Sequence, residues 1–272
     1  GRYEIAGELG KGAMGTVYLA RDPTINREVA LKAIPLAAEF EGRDLEDARA
    51  RFFREAEMAG RLNHPHIVTI FDAGEDNGTA YIAMERLIGR HLIEHTRSTH
   101  LLPAPVAIEI VARLAGALNY AHGQQVVHRD IKPPNVMFDA PTGELKITDF
   151  GIARLTDSGR TRTGISLGTP SFMYPEQLQG HNISGKTDLF SLAVTLYQLL
   201  SGQLPFRADS MPALMIRIVE EPHVPIRTIR PDLAAGLDEL FDRALAKEPA
   251  DRFETGAAFA EALREINTPA RD

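Results

Sequence analysis

Cysteine is absent from the 272 residues, which excludes a disulfide framework and any thiolate metal site. The absence fits a reducing compartment. Long apolar runs are missing too. No stretch of 18 apolar residues occurs, and Gly1-Arg2-Tyr3-Glu4 opens without the apolar core of a signal peptide. A soluble body facing the cytosol is therefore expected. Basic charge is in short supply: 30 Lys+Arg stand against 37 Asp+Glu, a net charge of −7, with a pI near 5.8. A general nucleic-acid binder needs clustered basic charge to displace counterions, so that class is disfavoured. There is no internal repeat and no low-complexity tract. The chain has 44% hydrophobic and 25% charged residues, enough for a core and ordinary for a globular protein. At about 150 residues per domain, the length suits one large domain or two modest ones.

Hydrophobic periodicity divides the chain near residue 84. From Tyr3 to Leu36, Ile5, Leu9, Val17, Leu19, Val29, Leu31 and Ile34 recur at strand spacing between turn residues. A helix is predicted over roughly Leu45 to Leu62, with Leu45, Ala48, Phe52, Ala56 and Ala59 three or four apart. Two short strands follow at Ile67–Phe71 and Ala80–Glu85, parted by the turn residues Glu75-Asp76-Asn77-Gly78. After Gly89 the pattern turns helical. Pro103 to His122 places Ala107, Ile110, Val111, Leu114, Leu118 and Ala121 on one stripe. Asp188 to Leu200 is apolar almost all round, the mark of a helix inside a large lobe, and Gly202 ends it. Further helices are predicted near Met211–Glu221, Leu233–Ala246 and Thr255–Ile266.

Three constellations carry chemistry. The first is Gly10-Lys11-Gly12-Ala13-Met14-Gly15-Thr16-Val17, whose glycines let backbone amides approach phosphate oxygens. A dinucleotide-binding loop has similar glycines but opens a helix. Here the loop joins two strands, which leaves a phosphate cradle or an ordinary glycine hairpin. The second is Lys32 on the apolar strand Val29-Ala30-Leu31, followed by Glu55 at the edge of the helical stripe. A surface position is usual for lysine, but an inward carboxylate costs several kcal/mol unless a cation meets it, and Lys32 is the expected partner. The third runs from His128-Arg129-Asp130-Ile131-Lys132-Pro133-Pro134-Asn135 to Asp149-Phe150-Gly151. Asn135 and Asp149 are oxygen donors suited to Mg²⁺, which takes few protein ligands beside phosphate and water. Asp130 remains to accept a proton. Taken singly, each triplet also fits a turn with solvated charges.

In this order, these motifs resemble the eukaryotic-type Ser/Thr protein kinases over almost the whole chain. The resemblance implies an α+β, bilobal fold: a small β-rich N-lobe with one main helix (residues 1–84), a hinge (85–89), a larger mostly helical C-lobe (90–266) and a tail (267–272). It implies ATP as phosphoryl donor, with Mg²⁺ or Mn²⁺, and protein substrates. Gly10, Gly12 and Gly15 would then cover the ATP phosphates, with Lys32 on them and Glu55 holding Lys32. Leu9, Val17, Ala30 and Met137 would sandwich the adenine, Met84 would sit at the gate, and the backbone of Glu85 and Leu87 would meet the purine edge. Asp130 would orient and deprotonate the substrate hydroxyl, while Asn135 and Asp149 would hold the metal. Lys132, partnered by Thr169, marks Ser/Thr rather than Tyr specificity. Thr161, Thr163 and Ser166 are candidate phosphosites in the activation segment, with Arg129 to bind the phosphate. Glu176 and Arg252 resemble the ion pair that anchors this segment, and Asp188 resembles the acid that braces the catalytic loop.

Gly-Ala-Met-Gly, Asn63-His64-Pro65-His66-Ile67-Val68 and Gly168-Thr169-Pro170 with Pro175-Glu176-Gln177 resemble the bacterial receptor-type members. That likeness implies a cytoplasmic kinase domain, with a membrane anchor following it in the longer protein. It also implies a homodimer for phosphorylation in trans. Four positions depart from the family pattern: Tyr174 before Pro-Glu, expected to add bulk at the peptide-docking floor, Pro134, Ala193, and Arg86 in the hinge. Of the nine histidines, His64 with His66 and His91 with His95 invite a metal reading but lack a third ligand. A pseudokinase scaffold would be expected to lose one of Lys32, Glu55, Asp130, Asn135 and Asp149. A small-molecule kinase would lack the activation segment and Pro175-Glu176.

Overall fold

A computed structural model of the chain describes residues 2–12, 15–150 and 170–268. It divides into two compact units, Gly1–Ile88 with Thr148–Leu167, and Gly89–Ile147 with Gly168–Asp272.

The first unit is built on an antiparallel sheet of β1 (Glu4–Gly12), β2 (Gly15–Asp22), β3 (Arg27–Ile34), β4 (Ile70–Asp76) and β5 (Thr79–Met84), in the order β1-β2-β3-β5-β4. β3 lies in the middle and is apolar on both faces, as a doubly covered strand must be. Val29 and Leu31 pack with Tyr3, Ala20 and Ala83. Ile34, on the opposite face by the two-residue alternation, packs with Phe52 and Ala56 of α2 (Gly42–Gly60), the helix that follows the short α1 (Leu36–Glu39). Lys32 shares that parity with Ile34, so its strand position aims it toward the helix-covered face.

Two boundaries differ from the sequence expectation. β4 starts at Ile70 and runs to Asp76, whereas Ile67 and Val68 are buried ahead of it. The reason is the turn: Asn77 and Gly78 both have positive φ, 49° and 76°, a tight two-residue connection that lets pairing continue to Asp76↔Thr79. α2 begins three residues before Leu45.

The second unit is mostly helical, with α3 (Ala104–Gly123), α4 (Pro175–Leu178), α5 (Gly185–Ser201), α6 (Met211–Glu220), α7 (Gly236–Ala244) and α8 (Gly256–Asn267). The sequence expectation missed a three-stranded sheet, β6 (Arg90–His91), β7 (Val136–Asp139) and β8 (Glu144–Ile147). Strands this short carry too little alternation to stand out. α7 is also shorter than predicted, because Leu233 is buried in the turn that precedes it. α5 is the centre: all but three of its residues are buried. α6 is its opposite, with Ile218 its one buried side chain and Met211, Met215 and Ile216 exposed. Among the described residues no helix is long and apolar enough to cross a membrane.

Candidate active site

In the first unit, β1 and β2 form the glycine hairpin, pairing Gly10↔Val17, Lys11↔Thr16 and Gly12↔Gly15. The tip, Ala13 and Met14, lies outside the described residues. Gly15 has φ +153°, and a Cβ there would meet the Ala33 carbonyl oxygen at 2.1 Å. The close passage of β3 therefore demands glycine at this position, independently of any ligand.

Ala30, Val68 and Met84 form one apolar cluster, with Val17 and Leu87 packed against it. Four of the residues expected around an adenine thus come together, and Val68 joins them. The sequence expectation missed Val68 because it was absorbed into a predicted strand. Leu9 is exposed and stands outside this cluster. The segment after β5 is clamped: the Glu85 N–H donates to Thr69 O at 2.9 Å, and the Thr69 N–H donates to Glu85 Oε1 at 2.7 Å. Among the described residues no backbone hydrogen bond engages the Leu87 amide. Arg86 pairs with Glu28 on β3, so its charge is met on the surface.

Lys32 Nζ pairs with Asp149 Oδ1 at 2.7 Å. The expected Lys32–Glu55 ion pair is not among those the described residues form. Glu55 is nevertheless buried, at 7% exposure, and has a polar partner of its own. The face argument correctly turned both side chains inward. It could not foresee that Asp149, 117 residues along the chain from Lys32, supplies the nearer carboxylate. Asp149 holds φ +63°, the left-handed region that a residue other than glycine adopts only at a cost.

In the second unit, the loop from His128 to Asn135 gathers its groups tightly. Lys132 Nζ lies 2.9 Å from Asp130 Oδ2, and Asn135 Nδ2 donates to the same oxygen at 2.9 Å and to Asp130 O at 2.8 Å. Asp130 Oδ1 makes no hydrogen bond among the described residues. With its nitrogen committed to Asp130, Asn135 presents oxygen as its ligating atom, the type a hard cation takes. His128 is fully buried and its Nδ1 accepts the Asp130 N–H at 3.2 Å, a structural role. Arg129 sits at φ +72°. Its Nε is buried without a partner among the described residues. Met137 lies on β7, opposite His91 and Lys146. Thr161, Thr163, Ser166 and Thr169 all lie outside the described residues. Among the described residues no group of three or more His, Asp or Glu side chains could hold a metal ion.

Behind the loop, Asp188 on α5 accepts the His128 N–H at 2.8 Å on Oδ2 and the Arg129 N–H at 2.7 Å on Oδ1. Arg252 grips Glu176 with two parallel bonds, Nη1 to Oε1 at 2.7 Å and Nη2 to Oε2 at 2.8 Å. Burial raises the Glu176 carboxyl, but hydrogen bonds and charge from Arg252 outweigh it and hold the group below its ordinary value. Lys247 donates to the carbonyls of Arg217 and Ile218 at 3.1 and 2.8 Å, at the end of α6. Burial, with Arg252 nearby, pushes its ammonium down to about 8. Tyr174 corrects an expectation. It is buried, at 2% exposure, so its bulk is not presented to solvent.

The protein kinase domain model matches residues 3–264. The serine/threonine-protein kinase PknJ of Mycobacterium tuberculosis is 42% identical over 267 residues, 96% of this chain and 44% of that protein. PknF of the same organism is 39% identical over 268 residues, 96% of this chain and 55% of PknF. Serine/threonine-protein kinase pkn3 of Myxococcus xanthus is 37% identical over 284 residues, 99% of this chain and 51% of pkn3. The chain spans about half the length of the curated relatives it matches.

Proposed function

The chain belongs to the protein kinase domain family, and from that premise we propose that it transfers the γ-phosphoryl group of ATP to Ser and Thr hydroxyls of protein substrates, its own activation segment among them. The observation that carries the proposal is the grouping of Asp130, Lys132 and Asn135 within 2.9 Å contacts on one braced loop.

Asp130 Oδ1 accepts the proton of the substrate hydroxyl, while Oδ2 stays fixed by Lys132 and Asn135. Lys132 steadies negative charge on the transferring group, and Thr169 assists it. Lys32 meets phosphate oxygens, and Glu55, buried in the same unit, is the carboxylate assigned to hold it. Gly10, Gly12 and Gly15 lend backbone amides to the phosphates. Val17, Ala30, Val68, Met84 and Leu87 form the apolar surface for the adenine, joined by Leu9 and Met137, and the backbone of Glu85 and Leu87 bonds its edge. Asn135 and Asp149 each offer oxygen to Mg²⁺, or Mn²⁺ in its place; the ion neutralises charge on the phosphates when bound. Phosphorylated Thr161, Thr163 or Ser166 orders the activation segment through Arg129, with a second copy of the chain as the phosphorylating partner. The names of the relatives support Ser/Thr specificity, and a cytoplasmic location, with an anchor elsewhere in the longer protein, fits the same class.

The test is incubation of the purified chain with labelled ATP and Mg²⁺ beside Asp130→Asn and Asp149→Asn, with phosphosites mapped by mass spectrometry. Label on Thr161 or Thr163 in the unsubstituted chain alone is expected, and Asp130→Asn should lower turnover about 10²–10⁴-fold with ATP binding retained. Unchanged turnover in Asp130→Asn would remove it as the base. No label in any form, with a generic protein substrate present, would sink the catalytic reading in favour of a nucleotide-binding scaffold.

A further inference from the structure

Where β5 runs out, one ladder bond is exchanged for a side-chain bond. β4 and β5 pair Ile70↔Met84, and the Glu85 N–H extends that ladder by donating to Thr69 O at 2.9 Å. In an antiparallel sheet two residues so placed exchange both bonds, each amide donating to the other's carbonyl. Here the return bond is diverted: the Thr69 N–H donates to Glu85 Oε1 at 2.7 Å. We propose that the Glu85 side chain is a positioning group for the nucleotide, turning the Thr69 amide away from the Glu85 carbonyl so that this carbonyl can accept from the exocyclic amine of adenine. The proposal rests on the kinase reading, which assigns the backbone of Glu85 to the purine edge.

The chemistry favours the exchange. An ionised carboxylate is a stronger acceptor than a peptide carbonyl, so it wins the amide when both are within reach. A carbonyl engaged in the ladder is drawn toward β4, and diverting the amide removes that pull. The amine of adenine is a donor and needs an oxygen acceptor to meet it. The side chain of Glu85 thereby decides what the main chain of the same residue can offer.

The location fits this role. Val68 and Met84, which immediately precede the two clamped residues, both belong to the apolar cluster with Ala30, against which Val17 and Leu87 pack. The exchanged bond therefore lies at the rim of the surface assigned to the adenine ring. Arg86 pairs with Glu28 on β3. Since β5 lies between β3 and β4, the two side chains that follow it are tied to either side, Glu85 to the residue before β4 and Arg86 to β3. The segment is held in place while its ladder is left incomplete.

The test measures nucleotide affinity of the full chain by titration calorimetry with Mg²⁺ present, comparing ATP with purine riboside 5′-triphosphate, which lacks only the exocyclic amine. In the unsubstituted chain, loss of the amine should weaken binding about three- to tenfold, as for one hydrogen bond. In Glu85→Ala, and in Glu85→Met, which keeps the bulk without the acceptor, the two nucleotides should bind equally. Glu85→Gln retains an oxygen for the Thr69 amide and should recover the preference. The comparison is internal to each variant, so a general loss of stability does not imitate it. An unchanged preference for ATP in the Ala and Met variants would overturn the assignment, as would a loss in Glu85→Gln as complete as in Glu85→Ala. An unsubstituted chain that binds both nucleotides equally would overturn it while the kinase reading stands. One that binds neither would overturn the kinase reading and this inference with it.

Discussion

Replacing Glu176 by Gln removes one charge from a site where nothing else can take its place. Arg252 is fully buried, and all five of its N–H donors are directed at acceptors: Nε at Ala246 O, Nη1 at Glu176 Oε1 and Lys186 O, Nη2 at Glu176 Oε2 and Lys247 O. Thr187 adds a bond to Glu176 Oε1 at 2.9 Å, and the Phe190 ring lies 4.7 Å from the guanidinium. The Gln amide fits the same volume but leaves the guanidinium buried without a counter-charge. Breaking such a pair costs about 3–5 kcal/mol. At about 2–4 °C per kcal/mol for a chain of this order, the melting temperature should fall by about 6–20 °C. The double variant Glu176→Gln with Arg252→Met removes both charges and should lose less than either single change. The acid limb provides a second readout. Because the folded carboxyl sits below its ordinary 4.5, its contribution is complete above that value and fades as pH falls through the depressed one. The wild type should therefore lose stability in acid more steeply than Glu176→Gln. Denaturant unfolding measured from pH 7 downward would refute the reasoning if the single variant lost under about 1 kcal/mol, or if the two single losses simply added.

Lys247 gives a slope of the same sign at the alkaline end. Its folded value of about 8 lies below the ordinary 10.5, so the folded state sheds a proton first and stability rises between those two pH values. The stability of the wild type relative to Lys247→Met should climb from pH 8 to 10.5, and a flat difference in thermal unfolding would contradict the assignment. Gly15→Ala brings a Cβ to 2.1 Å from the Ala33 carbonyl oxygen and should cost about 1–3 kcal/mol by overpacking. Equal melting temperatures would mean that β3 moves aside freely.

What was legible in the sequence was what lies close in the sequence. The eight residues from His128 to Asn135 read as one cluster because the turn that gathers them is their own, and Asp130, Lys132 and Asn135 do meet there. The helical stripe of α2 correctly turned Glu55 inward. Partners distant in the chain were harder. Lys32 was matched to Glu55 by face and charge, but the fold brings Asp149 to 2.7 Å, and no local pattern ranks two carboxylates competing for one ammonium. Tyr174 was expected to add bulk at the docking floor, and its burial was not legible because a motif position does not tell how deep a side chain lies. The β7–β8 hairpin was overlooked for a different reason: four-residue strands leave two side chains per face.

α5 does its work through side chains on different faces of consecutive turns. Thr187 reaches Glu176, Asp188 the amides of His128 and Arg129, Ser191 the carbonyl of Phe172 at 3.0 Å, and Tyr197 that of Val224 at 2.9 Å. Each residue added to a helix advances it by about 100° and 1.5 Å. A single inserted or deleted residue near the start of α5 would swing every later side chain onto the wrong neighbour at once, with no loop inside the helix to absorb the slip. Among the described residues the turn at Thr142-Gly143 between β7 and β8 closes its own hairpin and receives a bond from Arg113 at the Gly143 carbonyl. A change of chain length is therefore tolerable at such a turn, while α5 admits changes of residue identity but not of residue number.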